Sequence, residues 1–399
     1  MPPWNDYYSR SWLNRACTPV IIYHDQEPLQ FDLYSREVLK TYILNKFPDQ
    51  IPESSLVLEH YIDMHLRAAI NEPHHGYNKI LLCHSEKNSA ELEKYQQHGF
   101  VGVYYWSHAL IARDWYRHAE HDLKLRDKTV VKDFLIYNRA WLGTREYRLK
   151  FAELLCENKL QNNCVTSFMP IDQDLHYQHH QFKNPAFAIT NLQLETNFPA
   201  NNSTANASAD YDPQDYTTTG IEIVLETLFD DQRNHLTEKT LRPIACGHPF
   251  MLAASAGSLQ YLRSYGFRTF QGLIDETYDT IVDPLCRLNA IVSEMKRITN
   301  LPTQAKSCLF DQLQEIVSYN QTLFFSKEWH QSITHEYSTN IKSALVEVQH
   351  SKSGKLYREY GSIVHTAPKR AEIFHQPLNG KRTQQDLDAF VQWLDNTTL

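Results

Sequence analysis

The chain has 399 residues, 42% hydrophobic and 22% charged, and a formal net charge of −8. This length exceeds the roughly 250–300 residues at which a single hydrophobic core stops growing, so two domains are expected. The acidic balance excludes a global field that draws the protein to nucleic acid, and no apolar run approaches the roughly 20 residues a membrane span needs.

Charge is unevenly spread. Between 351 and 382 there are seven basic side chains against two acids, a surplus of +5 set against −13 for the rest. That segment reads either as a solvated tail or as a patch for a phosphorylated acceptor. Seven cysteines form no C-x-x-C pair, and the start MPPWNDYYSR lacks an apolar leader. Both point to a reducing, cytoplasmic setting.

In chain order, the β-branched run 19–24 predicts a buried strand. It leads straight into Asp25, Gln26, Glu27 and Pro28. Pro28 disfavours a helix at Glu27, so two carboxylates lie just past a strand's carboxyl end. They cap the next helix, or one of them is a general base. A helix is expected over 33–46, then strands at 79–83 and 101–105. The second strand runs into His84 and Glu86, the third into Trp106 and His108. Three successive strand ends thus deliver polar or aromatic residues to one edge of an α/β domain. A helix over 109–123 carries His118 and His121, which read as surface histidines.

The charged stretch 122–132 marks the domain boundary. Strand 133–137 opens the second domain and runs into Asn138, Arg139 and Trp141. Thr144 is a candidate N-cap for a helix whose apolar face is Tyr147, Phe151, Leu154 and Leu155. Arg145 and Arg148 lie off that face. Arg139 sits on the strand-to-helix turn, where backbone N–H groups and a guanidinium can converge on phosphate. Trp141 either stacks on a base or fills the core. Strands are expected at 160–168 and 185–190. Between them stand Asp172-Gln173-Asp174, a spacing used to hold a divalent ion, and His176, His179 and His180. The same spacing recurs at Asp210-Tyr211-Asp212, and chance accounts for both better than a metal does. Residues 199–219 read as a mobile polar loop.

The stretch 220–259 is the most informative. Ile221, Ile223 and Leu225 alternate with Glu222, Val224 and Glu226 as in a strand. Thr237 is a good N-cap, with Leu236 and Leu241 as the staple that sets helix entry. Glu238 and Lys239 fill the first turn. A lysine there opposes the helix dipole unless something negative binds beside it, and a diphosphate would fit. Pro243 should shorten the helix, and Gly247 should end it. A strand then covers 248–253. The small-residue turn 254–258 leads into a helix over 258–264 as a second candidate phosphate cradle. Helices are expected at 285–298, 305–325 and 386–395, with Phe310, Leu313, Ile316 and Val317 in the core.

Glu226-Thr227-Leu228, a spacer and His235-Leu236-Thr237-Glu238-Lys239 together resemble the donor half of fucosyltransferase-type GT-B enzymes. That family has Glu-Asn-Ser at a strand end, then Tyr-(Ile/Val)-Thr-Glu-Lys and a helix. The resemblance implies that Glu226 binds the ribose of a nucleotide, that Lys239 binds its phosphates, and that Arg139 is the upstream basic residue. Thr227 and Leu228 depart from the family's Asn and Ser. Over the whole chain, DQEPL (25–29), YYWSH (104–108), FLIYNRAW (134–141) and TEKTLRPI (237–244) resemble glycosyltransferase-like proteins of large tailed phages. For such a protein the setting is the host cytoplasm, and an acceptor on hydroxylated pyrimidine DNA comes into view.

The expected fold is α/β and GT-B-like, with two Rossmann-like domains facing across a cleft. Residues 1–128 form the acceptor side and 129–300 the donor side, and a helical region 301–399 packs back on the first domain. The expected reaction moves a sugar from a nucleotide-sugar, which is a co-substrate rather than a cofactor, to an acceptor hydroxyl, with inversion and no essential metal. Lys239, Arg139 and the helix start at Thr237 steady the leaving diphosphate, Glu226 holds the ribose, and Glu238, Arg145 and Trp141 complete the donor-binding set. Asp25 or Glu27 is the base, with His84 as runner-up, while Glu86, Trp106 and His108 receive the acceptor. The acceptor is a glycan or modified DNA. The non-enzymatic alternative is a nucleotide-sugar-binding protein.

Overall fold

The computed structural model describes residues 21–24, 81–84, 87, 89, 101–116, 128–198 and 211–349. By its contacts the chain divides into a unit Ser107–His330 and a unit formed by the flanking residues on either side. It is a mixed α/β protein with parallel sheets, compatible with a Rossmann-like architecture.

In the flanking unit, β1 (Ile21–His24), β2 (Leu81–His84) and β3 (Val101–Tyr104) pair in parallel in that order. The register sets His24, His84 and Tyr104 in one row at the carboxyl edge. In the same unit, Asn340 Nδ2 donates to the Tyr104 carbonyl at 2.9 Å, and the rings of Tyr105 and Tyr337 meet at 5.2 Å. Asp25, Glu27 and Glu86 lie outside the described residues, as do the expected helices 33–46 and 386–395 and the basic segment 351–382.

The Ser107–His330 unit opens with α1 (Ser107–Trp115). Its sheet is built from β4 (Lys132–Ile136), β5 (Cys164–Thr166), β8 (Thr219–Leu225) and β9 (Phe250–Ala253), a small hairpin of β6 (Ile171–Asp172) and β7 (Leu175–His176) lying between. The order is β5-β4-β8-β9, with every pairing parallel. Every residue of β8 is buried, as expected of a central parallel strand covered on both faces. Strand order reverses between β4 and β8. In open α/β sheets the crevice at the carboxyl ends beside such a reversal is where ligands bind.

Around the sheet stand α2 (Tyr147–Glu157), α3 (Pro213–Thr218), α4 (Glu238–Ala245), α5 (Ser258–Ser264), α6 (Pro284–Thr299) and α7 (Thr303–Phe325), followed by α8 (Lys327–Gln349). Helix α4 is short because Pro243 falls inside it and Gly247, at φ 64°, turns the chain away. Helix α7 binds the unit at two places. Lys306 pairs with Asp133 at 2.8 Å, and Asn320 exchanges hydrogen bonds with the backbone of Arg268 at 2.7 and 2.8 Å. Near its start the Phe310 ring lies over the backbone of Gly220. A Cβ there would stand 2.5 Å from the ring edge, so any larger residue at this central-strand position would have to displace the ring.

Several expectations are corrected. Thr144 caps no helix: Gly143–Arg145 is a 3₁₀ turn, and α2 starts at Tyr147 without a side-chain cap. Residues 185–187 form a 3₁₀ turn, not a strand, because Pro185 cannot donate to a ladder. The polar stretch ends in structure: Asp212 caps α3, with Pro213 in its first turn, and Thr219 already belongs to β8. Helix α8 has no counterpart among the elements expected from sequence. In the core of α7, Leu309, Leu313 and Val317 are buried while Phe310 and Ile316 are half-buried.

Candidate functional site

After β4 and at the starts of α5 and α4, backbone N–H groups of the Ser107–His330 unit face an anion, and each place already holds a carboxylate of the chain itself. After β4, Asp172 accepts from the amides of Trp141 and Leu142 at 2.7 and 2.8 Å. At the start of α5, Asp279 accepts from the Leu259 amide at 3.1 Å. At the start of α4, Glu226 does the same more completely.

Period-2 alternation puts Glu222 and Glu226 on the face of β8 that meets α4. Glu226 is fully buried. Its Oε1 accepts from the amides of Thr237 and Thr240 at 2.9 and 3.2 Å and from the Thr240 hydroxyl at 2.6 Å. Its Oε2 accepts from the Thr237 hydroxyl at 2.7 Å and the Thr227 amide at 3.2 Å. A carboxylate offers about four lone-pair sites, so Glu226 is saturated. Expected to hold a ribose, Glu226 here anchors the start of α4 to the end of β8. The N-cap expected at Thr237 is found, its hydroxyl accepting from the Lys239 amide at 3.3 Å.

Beside this anchor lies a charged relay. Lys239 Nζ meets Glu238 Oε1 at 2.8 Å, Thr237 Oγ1 at 3.2 Å and Thr227 Oγ1 at 3.4 Å. Glu238 Oε2 lies 3.2 Å from Nδ1 of His108 on α1. Burial works to raise the Glu238 carboxyl, but the Lys239 ammonium and then His108 outweigh it and hold the group well below the usual carboxylate range. The His108 ring meets that of His235 edge-on at 5.1 Å. His108, expected on the acceptor side, thus belongs to the same unit as Lys239, because α1 packs against α4.

The remaining expected residues divide. Arg139 is exposed on the turn after β4, and Arg145 is half-buried with its guanidinium 3.5 Å from the Leu142 carbonyl. Trp141 is core: it is fully buried, and its indole N–H donates to the Met169 carbonyl at 3.0 Å. Trp106 is likewise buried. His84 ends β2. Gln173 and Asp174, both at positive φ, form the two-residue turn of the β6–β7 hairpin, and Asp172 is committed to backbone amides. Among the described residues no cluster of three or more metal-ligating side chains occurs.

Sequence reasoning placed Arg148 off the apolar face of its helix and gave it no role. It is 2% exposed and spans the strand-order reversal, donating to Asn138 Oδ1 and the Ala140 carbonyl on one side. On the other it donates to the carbonyls of Leu225 and Glu226 at 2.6 and 3.1 Å. It also passed over a buried pair between Glu222 and Arg242, 2.5 Å apart, with the Tyr216 hydroxyl 2.7 Å from the same carboxylate. A glutamate inside an otherwise apolar strand was the available signal.

Two buried histidines make stability depend on pH. Burial holds the imidazoles of His235 and His248 well below their ordinary range; His108 and Lys239 beside the first and Lys128 beside the second push the same way. Above about pH 6.5 both are neutral in the folded and unfolded chain. Below it the unfolded chain takes up protons that the fold refuses, so stability falls as pH falls, by up to about 1.4 kcal/mol per pH unit for each histidine. Denaturant melts from pH 7.5 to 5 should show this decline. His248→Gln should remove one proton's share of the slope, and an unchanged slope in that variant would contradict the assignment.

The chain matches no protein-family model, no curated protein and no solved structure. The Ser107–His330 unit is a parallel α/β unit with a strand-order reversal and a charged relay in the first turn of α4. Among the described residues no helix is long and apolar enough to cross a membrane.

Proposed function

We propose that the Ser107–His330 unit binds a nucleotide-sugar at the carboxyl edge of its sheet and that the chain transfers the sugar to an acceptor hydroxyl, within a GT-B-like arrangement. The observation that carries this reading is the reversal of strand order between β4 and β8, with Lys239 in the first turn of the helix anchored beside it. A diphosphate leaving group carries more charge than the single Glu238 carboxylate that holds Lys239, and it competes for the same ammonium. As the bond to the sugar carbon breaks, negative charge gathers on the phosphate oxygen, and a cation fixed in a partly dry site stabilises it. Asp172, already engaged by two backbone amides, does not take this part, so the leaving group is assigned to Lys239, with exposed Arg139 as a second arm.

His108 is the proton acceptor that the geometry supports. Its Nδ1 lies 3.2 Å from Glu238 Oε2, so that carboxylate can steady the ring as it takes the proton of the acceptor hydroxyl. One in-line displacement inverts the sugar carbon.

A thermal-shift panel of uridine, guanosine and thymidine diphosphate sugars tests the reading. A cognate donor at a hundred times its Kd should stabilise the protein by about 2.7 kcal/mol. Lys239→Met should abolish that response, read against the variant's own apo melt because the substitution also removes the ammonium that faces the buried Glu238 carboxylate. If no nucleotide-sugar shifts the melt at millimolar concentration, the proposal fails.

A further inference from the structure

At the opposite end of the sheet, where β4 and β8 begin, lies a cavity of about 790 Å³ bordered by Lys128, Val130, Val131, Asp133, Lys306 and Phe310. That volume is in the range of small-molecule sites. Its two lysines differ. Lys306 is neutralised by both oxygens of Asp133, at 2.8 and 3.0 Å, and also donates to the Thr299 carbonyl. Among the described residues Lys128 pairs with no carboxylate. Its Nζ lies 2.6 Å from Nδ1 of His248, a side chain 1% exposed whose Nε2 meets no hydrogen-bond partner among the described residues.

Two protonation states fit that contact. An ammonium donates to a bare Nδ1, or the amine and the imidazole are both neutral and share one N–H between them. Either way His248 is neutral, in keeping with its depressed affinity for protons. Burial pushes the Lys128 ammonium down to about 8, against a smaller opposing influence of Cys246. The other charged groups bordering the cavity are Asp133, Lys306 and Asp311. The first two neutralise each other, and Asp311 on α7 is exposed.

From the cavity, its apolar walls and the Lys128–His248 contact we infer that this is a second site, in which the Lys128 amine captures an aldehyde with an apolar body as an imine. A desolvated lysine with a neutral partner is the form that attacks carbonyls. The Nζ lone pair adds to the carbonyl carbon and gives a carbinolamine. The carbonyl oxygen then leaves as water, carrying both hydrogens of the neutral amine, and a C=N bond remains. No oxidant or reductant is needed. Val130, Val131 and Phe310 supply apolar surface for the body of the aldehyde, and the Gly220 contact sets where the Phe310 ring stands. The site is independent of the donor reading, since it uses none of the residues assigned there.

The test treats the full chain with benzaldehyde and cyanoborohydride, which traps the imine as a secondary amine, and quantifies each lysine by peptide mass spectrometry. At pH 7.5 Lys128 should label at least tenfold faster than exposed Lys159 and Lys296, with its rate half-maximal near pH 8. Formaldehyde, too small to use the apolar walls, should show a smaller preference for Lys128. Labelling no faster than at the two exposed lysines overturns the inference. So does a rate that rises in parallel with theirs to pH 10, or an equal preference with both aldehydes.

Discussion

Glu226→Ala should destabilise the protein by roughly 3 kcal/mol or more, because the side chain accepts five hydrogen bonds in full burial. Hydrogen bonds to a charged group contribute about 1.5–3 kcal/mol each, and they are not additive when they share one carboxylate. Removing the carboxylate also strands the Thr237 and Thr240 amides at a helix start that has no other acceptor for them. Chemical denaturation measures the loss. Glu226→Gln should fall between wild type and the alanine variant, since one of its two terminal atoms becomes a donor facing donors. The pattern discriminates two roles. Were Glu226 held in reserve for a ribose, the alanine variant would melt like wild type and lose only its response to donor. A wild-type melt in Glu226→Ala would therefore return the residue to the ligand side.

Arg242→Met carries the second large expected effect, a loss of about 3–5 kcal/mol. Glu222 and Arg242 are 0% and 3% exposed as side chains. Burial raises the Glu222 carboxyl, with Arg242 and the Tyr216 hydroxyl working against that rise. Burial also opposes the charge on Arg242, but Glu222 overrides it and keeps the guanidinium protonated. Deleting the arginine leaves a carboxylate buried with only the Tyr216 hydroxyl at 2.7 Å. Two well-packed apolar side chains would avoid that penalty, so Glu222→Met combined with Arg242→Met should recover most of the loss. A double variant as unstable as the single one would mean that packing around Arg242, including its contact with the Tyr137 ring at 4.6 Å, carries the stability instead of the charge pair.

Both predictions concern the same face of β8, which separates what sequence reasoning reached from what it did not. The strand, the Thr237 cap, the short helix with Pro243 inside it and the Gly247 stop were legible, because each depends on residues within one or two turns. The acids were legible as acids on a strand. Their employment was not. Glu226 was read as a ligand residue and serves as the anchor of α4, and Asp172 was read as part of a chance metal spacing and serves as the anion on the turn after β4.

The amino-acid sequence by itself determined most of the local elements of the Ser107–His330 unit: the β-branched runs that become its strands, the caps, and the breakers that end its helices. These follow from backbone sterics and short-range hydrogen bonding, which act between near neighbours. Only the tertiary structure decided which charge meets which. Asp172 reaches the Trp141 amide 31 residues back, Arg242 reaches Glu222 across 20, and Lys128 reaches His248 across 120. Such pairings depend on the order of strands in the sheet and on which helix covers which face. Burial then decides whether a charge is a site or a strut. Glu226 and Arg148 are closed off by donors and acceptors of the fold, while Lys239 meets Glu238 and two threonine hydroxyls and Lys128 meets His248, partners that a ligand could replace.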